Sequence, residues 1–327
     1  MYNIPLFPKT IIGGVSMNFR HIRTDLAVET REMYRQAQKL EDEIPGVETV
    51  VDDSNKDIIV TSVKIITDEA AEVMGKAKGE YVTIDAPKLK LNDENFNEKV
   101  GDKLIEIIKK ITNMRPVDTV LVVGLGNEKI TADALGPKVI SKVDITRHLL
   151  EYVPQYMDPN TRSVCGIAPG VLGTTGIETG EIIKGIVEKI KPNIIIAIDA
   201  LASRRIERIA TTIQIANTGI VPGSGLGNNR NAITQETMGV PVIAIGIPTV
   251  VEAAVIANDA LELFVEKMQK EARSNKVLNE LIEKDNYEEI KSALMPEDIN
   301  LVVTPKDIDE LIENIKDIIA RGINYAL

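Results

Sequence analysis

A chain of 327 residues, 44% of them hydrophobic, can bury a sizeable core, but with 3% aromatics and no Trp that core has to be aliphatic. A net charge of −11 argues against a surface built to grip nucleic acid phosphates, and a single cysteine, Cys165, excludes a disulfide framework and fits a reducing compartment. No run approaches the roughly 18 apolar residues of a membrane helix, so a soluble cytoplasmic protein with no membrane contact is expected.

The first 24 residues show no clear period and read as an extended lead segment. The opening stretch MYNIPLFPKTIIGGVSMNFRHIR lacks a basic start and is broken by two prolines, which speaks against a signal peptide. Residues 28–43, VETREMYRQAQKLEDE, predict a helix. Two strands follow, VETVV from 47 and KDIIVTSVKII from 56, separated by an Asp-Asp-Ser-Asn turn. A further strand is predicted at GEYVTIDAPKL from 79, and an amphipathic helix over 94–113.

From residue 118 short apolar runs alternate with helices. TVLVVGL, SVCGIAP, NIIIAIDAL, TTIQIAN and PVIAIGIP read as strands. ALGPKVISKV opens a helix or a turn of one, and a helix runs up to Pro192. A long helix is predicted over 250–272, and the tail from 276 to 327 reads as mostly charged helix, with Thr304 and Pro305 as a start signal. NIIIAIDAL is apolar on both faces, as a central parallel strand would be. The alternation predicts an α/β protein with a doubly wound, mostly parallel sheet core and additional N-terminal α/β elements. In such sheets ligands sit at the carboxyl ends of strands, which draws attention to loops 124–137, 166–180, 199–205, 217–231 and 247–252.

The stretch VDTVLVVGLGNEKITADALGP, residues 117–137, resembles the opening of a nucleotide-binding fold. It fails as one. Gly124 and Gly126 fit the dinucleotide fingerprint, but Lys129 stands where the third glycine belongs, and no phosphate loop of the NTPase type occurs in the chain. The glycines are explained by a tight turn, which leaves Asp133 unexplained. Elimination narrows the chemistry. Only two histidines exist, His21 in the lead segment and His148 in a helix-like stretch, so histidine-dependent triads have little to draw on. Cys165 has no evident base and reads as a small buried hydrophobe. Ser203-Arg204-Arg205 signals phosphate chemistry only weakly, and zinc-type motifs are absent.

Carboxylates remain. Asp133 lies just past one predicted strand and Asp199 at the end of another, both followed by Ala-Leu. If the strands are parallel, the two acids converge on one sheet edge, where one keeps a proton and the pair can activate water and protonate a leaving group. The alternative, that each merely caps a helix or turn, stays open on spacing alone.

GLGNEKITADALGP, CGIAPGVLGTTGIET, IIIAIDALASR and GSGLGNNR, in that order, together with IRTDLAVETRE near the N-terminus, resemble the germination protease family of spore-forming bacteria. The resemblance implies an endopeptidase made as a zymogen, acting as a homotetramer in the spore core on small acid-soluble spore proteins, grouped with aspartic-type peptidases and needing no cofactor or metal. Its proposed catalytic pair falls on Asp133 and Asp199. It implies that residues 1–25 are a pro-segment and 26–327 one elaborated peptidase domain, with cleavage at Asp25–Leu26. TDLAVE, Thr24 to Glu29, copies the substrate pattern of an acid, a bulky apolar residue and Ala. Met1 and Met17 both remain possible starts. The family shares its core with hydrogenase maturation peptidases, so the alternative function is a metal-dependent maturation-type peptidase using the same aspartates as ligands. Reading an acid in an acidic protein needs a cation, and Arg204 and Arg230, in predicted strand-end loops, are the candidates.

Overall fold

The computed structural model describes residues 24–222, 231–271, 293 and 301–327. The larger of two compact units spans Arg23–Glu252 and Val302–Leu327. It is built on one nine-stranded sheet. The strands are β1 (Val47–Asn55), β2 (Ile58–Ile65), β3 (Gly79–Asp85), β4 (Val120–Gly124), β5 (Val164–Ile167), β6 (Ile194–Ser203), β7 (Thr212–Ala216), β8 (Val242–Glu252) and β9 (Val302–Val303). Their order is β1-β2-β3-β7-β8-β6-β4-β5, with β9 added to β8.

The parallel core is the run β8-β6-β4-β5. β6 is buried along almost its whole length and β8 along all of it, which is why NIIIAIDAL and PVIAIGIP show continuous apolar runs and no alternation. The N-terminal elements extend the same sheet antiparallel through β1, β2, β3 and β7. The sheet is thus mixed, with the predicted parallel core carrying an antiparallel wing.

Helices α1 (Ala27–Ala37), α2 (Asp68–Met74), α3 (Glu94–Thr112), α4 (Leu135–Ile140), α5 (Arg147–Tyr152), α6 (Leu172–Thr175), α7 (Thr179–Ile190) and α8 (Gln235–Met238) belong to this unit, as does the C-terminal helix α10 (Ile308–Ala326). Helix α9 (Ala253–Glu271) lies in the second unit. The predicted helix start at 250 gives way to strand, because β8 continues to Glu252 and pairs there with the extended β6 and with β9. Helix α1 ends at Ala37, six residues short of the prediction, and Lys39 turns the chain with φ 50°. Helix α2 was not anticipated; Thr67 caps it by accepting from Ala70 N–H at 3.2 Å, and Gly75 closes it at φ 58°.

The two sheet faces are covered differently. On one face Leu121, Val123, Ile195 and Ala197 pack with Ile183 and Val187 of α7 and Met238 of α8. Further along that face Tyr81, Ala216, Val63 and Ile65 pack with Ala27 of α1 and Ala70 and Met74 of α2. Gly124, the next residue after Val123 and so on the opposite face, abuts Gly136 and Ile140 of α4, and α4 in turn packs with α10 and α10 with α3. A separate small cluster packs Leu26 and Val28 against Leu201.

Candidate active site

Asp133 ends a short 3-10 turn, Thr131–Asp133, that follows β4. Its carboxylate does not cap α4, whose N-cap is Ala134 with no side-chain bond. Asp133 Oδ2 instead accepts from Asn127 N–H at 2.8 Å, and its main-chain oxygen from the same group at 3.1 Å. The turn is locked to the sheet edge by Thr249 of β8, whose hydroxyl donates to Ala132 O at 2.7 Å. Gly126 explains the glycine of the opening motif. It sits at φ +109°, and a Cβ there would overlap the carbonyl oxygen of Asp133. Gly126→Ala is therefore expected to cost about 2 kcal/mol or more and to displace the acid. Chemical denaturation checks the first, and faster hydrogen exchange at Asn127, whose N–H bonds the acid, the second.

Asp199 lies inside β6, four residues before its end, with the residue 5% exposed. This corrects the expectation that the strand stops at the acid. It continues to Ser203 because Ala202 and Ser203 pair on with Val250 and Val251 after a register shift. Asp199 Oδ1 accepts from Ala200 N–H at 2.9 Å. The loop that carries Asp133 leaves β4 beside the residue before Asp199: Gly124 pairs with Ile198, and Leu125 N–H donates to Ile198 O at 2.8 Å. Asp199 is also in register with Gly246 of β8, which faces Gln214 of β7. Residues paired this way project to one face, so Asp199 and Gln214 flank a row about 10 Å wide whose middle position carries no side chain. The side chain of Leu201 takes up the space a Cβ on Gly246 would fill.

Thr24–Glu29 lies across this row. Asp25 N–H donates to Ala202 O and Ala202 N–H to Asp25 Oδ2, each at 2.9 Å. Gln214 Nε2 donates to Asp25 O at 3.1 Å, and its Oε1 accepts from Ala27 N–H at 2.7 Å. Lys76 Nζ donates to Thr24 O and Asp25 O, each at 3.0 Å. Leu26 and Ala27 are fully buried. Glu29, 1% exposed, accepts from Arg204 N–H at 2.7 Å, Arg205 N–H at 3.1 Å and the Thr24 hydroxyl, with Arg208 Nε 3.5 Å away. Burial pushes the Glu29 carboxyl above its usual pKa, against the pull of these donors, and pushes the Lys76 amine below its own, against Asp25 and Glu29.

Arg204 therefore does meet a carboxylate, through its main chain, and that carboxylate belongs to Glu29. Arg230 lies outside the described residues, as do His21 and the rest of residues 1–23. His148 is exposed on α5. The Cys165 thiol donates to Val120 O at 3.4 Å and burial raises its pKa, so it behaves as a core residue. The Ser203 hydroxyl is spent on Arg205 O at 3.0 Å. A cleft of about 540 Å³ lined by Lys142, Asp144, Arg321 and Asn324 includes neither acid. Among the described residues no helix is long and apolar enough to cross a membrane, and no cluster of three or more His, Cys, Asp or Glu is arranged to hold a metal.

Sequence reading missed Lys76, Arg208 and Gln214. Only Gln214 left a signal, as a long polar side chain between two isoleucines in the run TTIQIAN. Lys76 in MGKAKG and Arg208 in RRIERIA are indistinguishable from surface cations until the chain is folded.

The family model described as germination protease matches residues 27–285 and 276–327. A germination protease of Caldanaerobacter subterraneus subsp. tengcongensis is 51% identical over 310 residues, 94% of each chain. That of Clostridium perfringens is 49% identical over 311 residues, 94% of this chain and 95% of the other. That of Bacillus subtilis strain 168 is 40% identical over 345 residues, 94% and 93% of the two. Among solved structures, a NiFe hydrogenase maturation protease, HycI, from Thermococcus kodakarensis KOD1 aligns with 63% of this chain and 92% of its own at 16% identity and a TM-score of 0.29.

Proposed function

The chain belongs to the germination protease family, and from that premise we propose that it is an endopeptidase made as a zymogen, which removes its own residues 1–25 by cutting Asp25–Leu26. Residues 26–327 are then the peptidase, working as a homotetramer in the spore core on small acid-soluble spore proteins, without a cofactor. The observation that carries this reading is the seating of Thr24–Glu29 against the end of β6, on the sheet face shared by Asp199 and Gln214. A segment with the form acid, bulky apolar residue, Ala is held there as a bound peptide would be, by main-chain bonds with its apolar side chains buried.

Asp133 and Asp199 act as the catalytic pair. One takes a proton from a water that attacks the carbonyl carbon of the acidic residue. The other gives a proton to the departing amide nitrogen. Asp133 does not cap α4, and Asp199 lies within a strand, which supports this assignment over helix capping. Arg204 and Arg230 help read the carboxylate that precedes the cut.

The test is digestion of a purified small acid-soluble spore protein, with the product N-termini sequenced. Cuts confined to bonds after Asp or Glu, and undiminished by chelator, are expected. Activity that dies with chelator and returns with a divalent cation would favour the metal-dependent maturation-type reading. Arg204→Glu should lower the preference for Glu-site over Gln-site peptides about tenfold, the scale of one exposed charge contact. An unchanged preference removes Arg204 from the specificity site.

A further inference from the structure

Two side chains from distant parts of the chain meet on one main-chain oxygen. Lys76 follows α2, Gln214 lies in β7, and both donate to Asp25 O, at 3.0 and 3.1 Å. This is the carbonyl of the bond that joins Asp25 to Leu26. The distances suit donors that hold an oxygen as negative charge develops on it. Gln214 is 8% exposed between Ile213 and Ile215 in a fully buried strand, a costly place for an amide unless its bonding is used. Its two bonds go to the chain on either side of that one peptide bond, to Asp25 O and from Ala27 N–H. Lys76 bridges Asp25 O and Thr24 O, which fixes the peptide plane on the acidic side. Gln214 shares its cross-strand row with Asp199 through Gly246, so the donors and one acid address the same patch of the sheet.

We propose that Lys76 and Gln214 form the oxyanion site of the peptidase, holding the carbonyl oxygen of the bond under attack while the acids move the protons. The proposal rests on the reading that Asp25–Leu26 is a bond the enzyme cuts. Water adds its oxygen to the Asp25 carbonyl carbon and loses a proton to one aspartate. The carbonyl π pair moves onto the oxygen between Lys76 Nζ and Gln214 Nε2. As that pair returns, the C–N bond breaks, and the other aspartate protonates the nitrogen of Leu26. The products are a carboxyl at Asp25 and an amine at Leu26, with no redox change.

The test uses the full chain and follows loss of residues 1–25 by intact mass with time, for wild type, Lys76→Met and Gln214→Glu. Gln214→Glu keeps an acceptor for Ala27 N–H while removing the donor to Asp25 O. Hydrogen exchange at Leu26, Ala27 and Val28, read in parallel, reports whether the segment stays seated. Each substitution is expected to slow cleavage about 100-fold with amide protection retained in at least one of the two. Cleavage at wild-type rate in either variant overturns the proposal and leaves the zymogen reading standing. Slowing that tracks loss of protection in both variants also overturns it, since the residues would then only dock the segment. If wild type itself never cuts Asp25–Leu26, the zymogen reading falls and the proposal with it.

Discussion

Asp199→Asn should lower turnover of a small acid-soluble spore protein about 1,000-fold, the scale of a lost general acid or base, and leave the fold intact. The reasoning starts from burial. Asp199 is 5% exposed, inside a strand whose neighbours on both sides are parallel, and its Oδ1 accepts from Ala200 N–H. Asparagine has the same shape and keeps an oxygen for that bond, so the strand loses little. What it loses is the capacity to take or give a proton at the carboxyl edge. Asp133→Asn should have an effect of the same order for the same reason, since its Oδ2 bond to Asn127 N–H can be kept by an amide oxygen. Because a pair of this kind works as a unit, the double variant should be no worse than about the worse single one. Steady-state rates on the same substrate, with thermal unfolding as control, check all three.

Glu29→Ala should be the most damaging single change to the seating of the Thr24–Glu29 segment, costing about 3–5 kcal/mol. Its carboxylate is the acceptor for two adjacent main-chain N–H groups, of Arg204 and Arg205, and for the Thr24 hydroxyl, and it faces Arg208. Alanine strands these donors in a buried place. Arg208 would keep Asp85 at 3.0 Å and Glu32 at 3.1 Å, so the loss falls mainly on the main-chain donors. Hydrogen exchange at Leu26–Val28 should rise accordingly.

The pH dependence has a definite sign. Burial raises the folded pKa of Glu29 above its usual 4.5, so the folded state binds the proton more tightly than the unfolded chain does. The corresponding stability is fully present below about 4.5 and is lost as pH rises through the raised folded value. Through Glu29 the segment should be held best below about 4.5 and loosen as pH rises, whereas the lowered pKa of Lys76 acts in the opposite sense at higher pH. Glu29→Gln, which cannot ionise, should lose the first dependence.

Most of the core was legible because aliphatic runs leave few choices. VLVVG, NIIIAIDAL and PVIAIGIP could only be central strands, and they became β4, β6 and β8 side by side. The antiparallel wing was harder. TTIQIAN looks like another parallel strand, and only its pairing with β3 and β8 fixes its direction. The end of β6 was misplaced because polar Asp199 and Ser203 look like strand breakers. In the fold both are buried and bonded, to Ala200 N–H and Arg205 O. The candidate acids were found by elimination, since two histidines and one cysteine leave little else. Lys76 was not, because nothing local distinguishes a lysine that will reach a carbonyl 51 residues away, and Gln214 left only its polarity within an apolar run as a sign of its reach across 189. Arg204 was selected for its guanidinium, whereas its main-chain N–H meets the carboxylate of Glu29.

The proposed chemistry has an aspartate pair at the carboxyl edge of the sheet cut a protein chain after an acid, beginning with this one. The most direct measurement is the intact mass of the purified full chain held at mildly acidic pH, for wild type, Asp133→Asn and Asp199→Asn. Wild type should lose residues 1–25 and begin at Leu26, while both variants keep their full mass. Equal trimming in all three would contradict the claim.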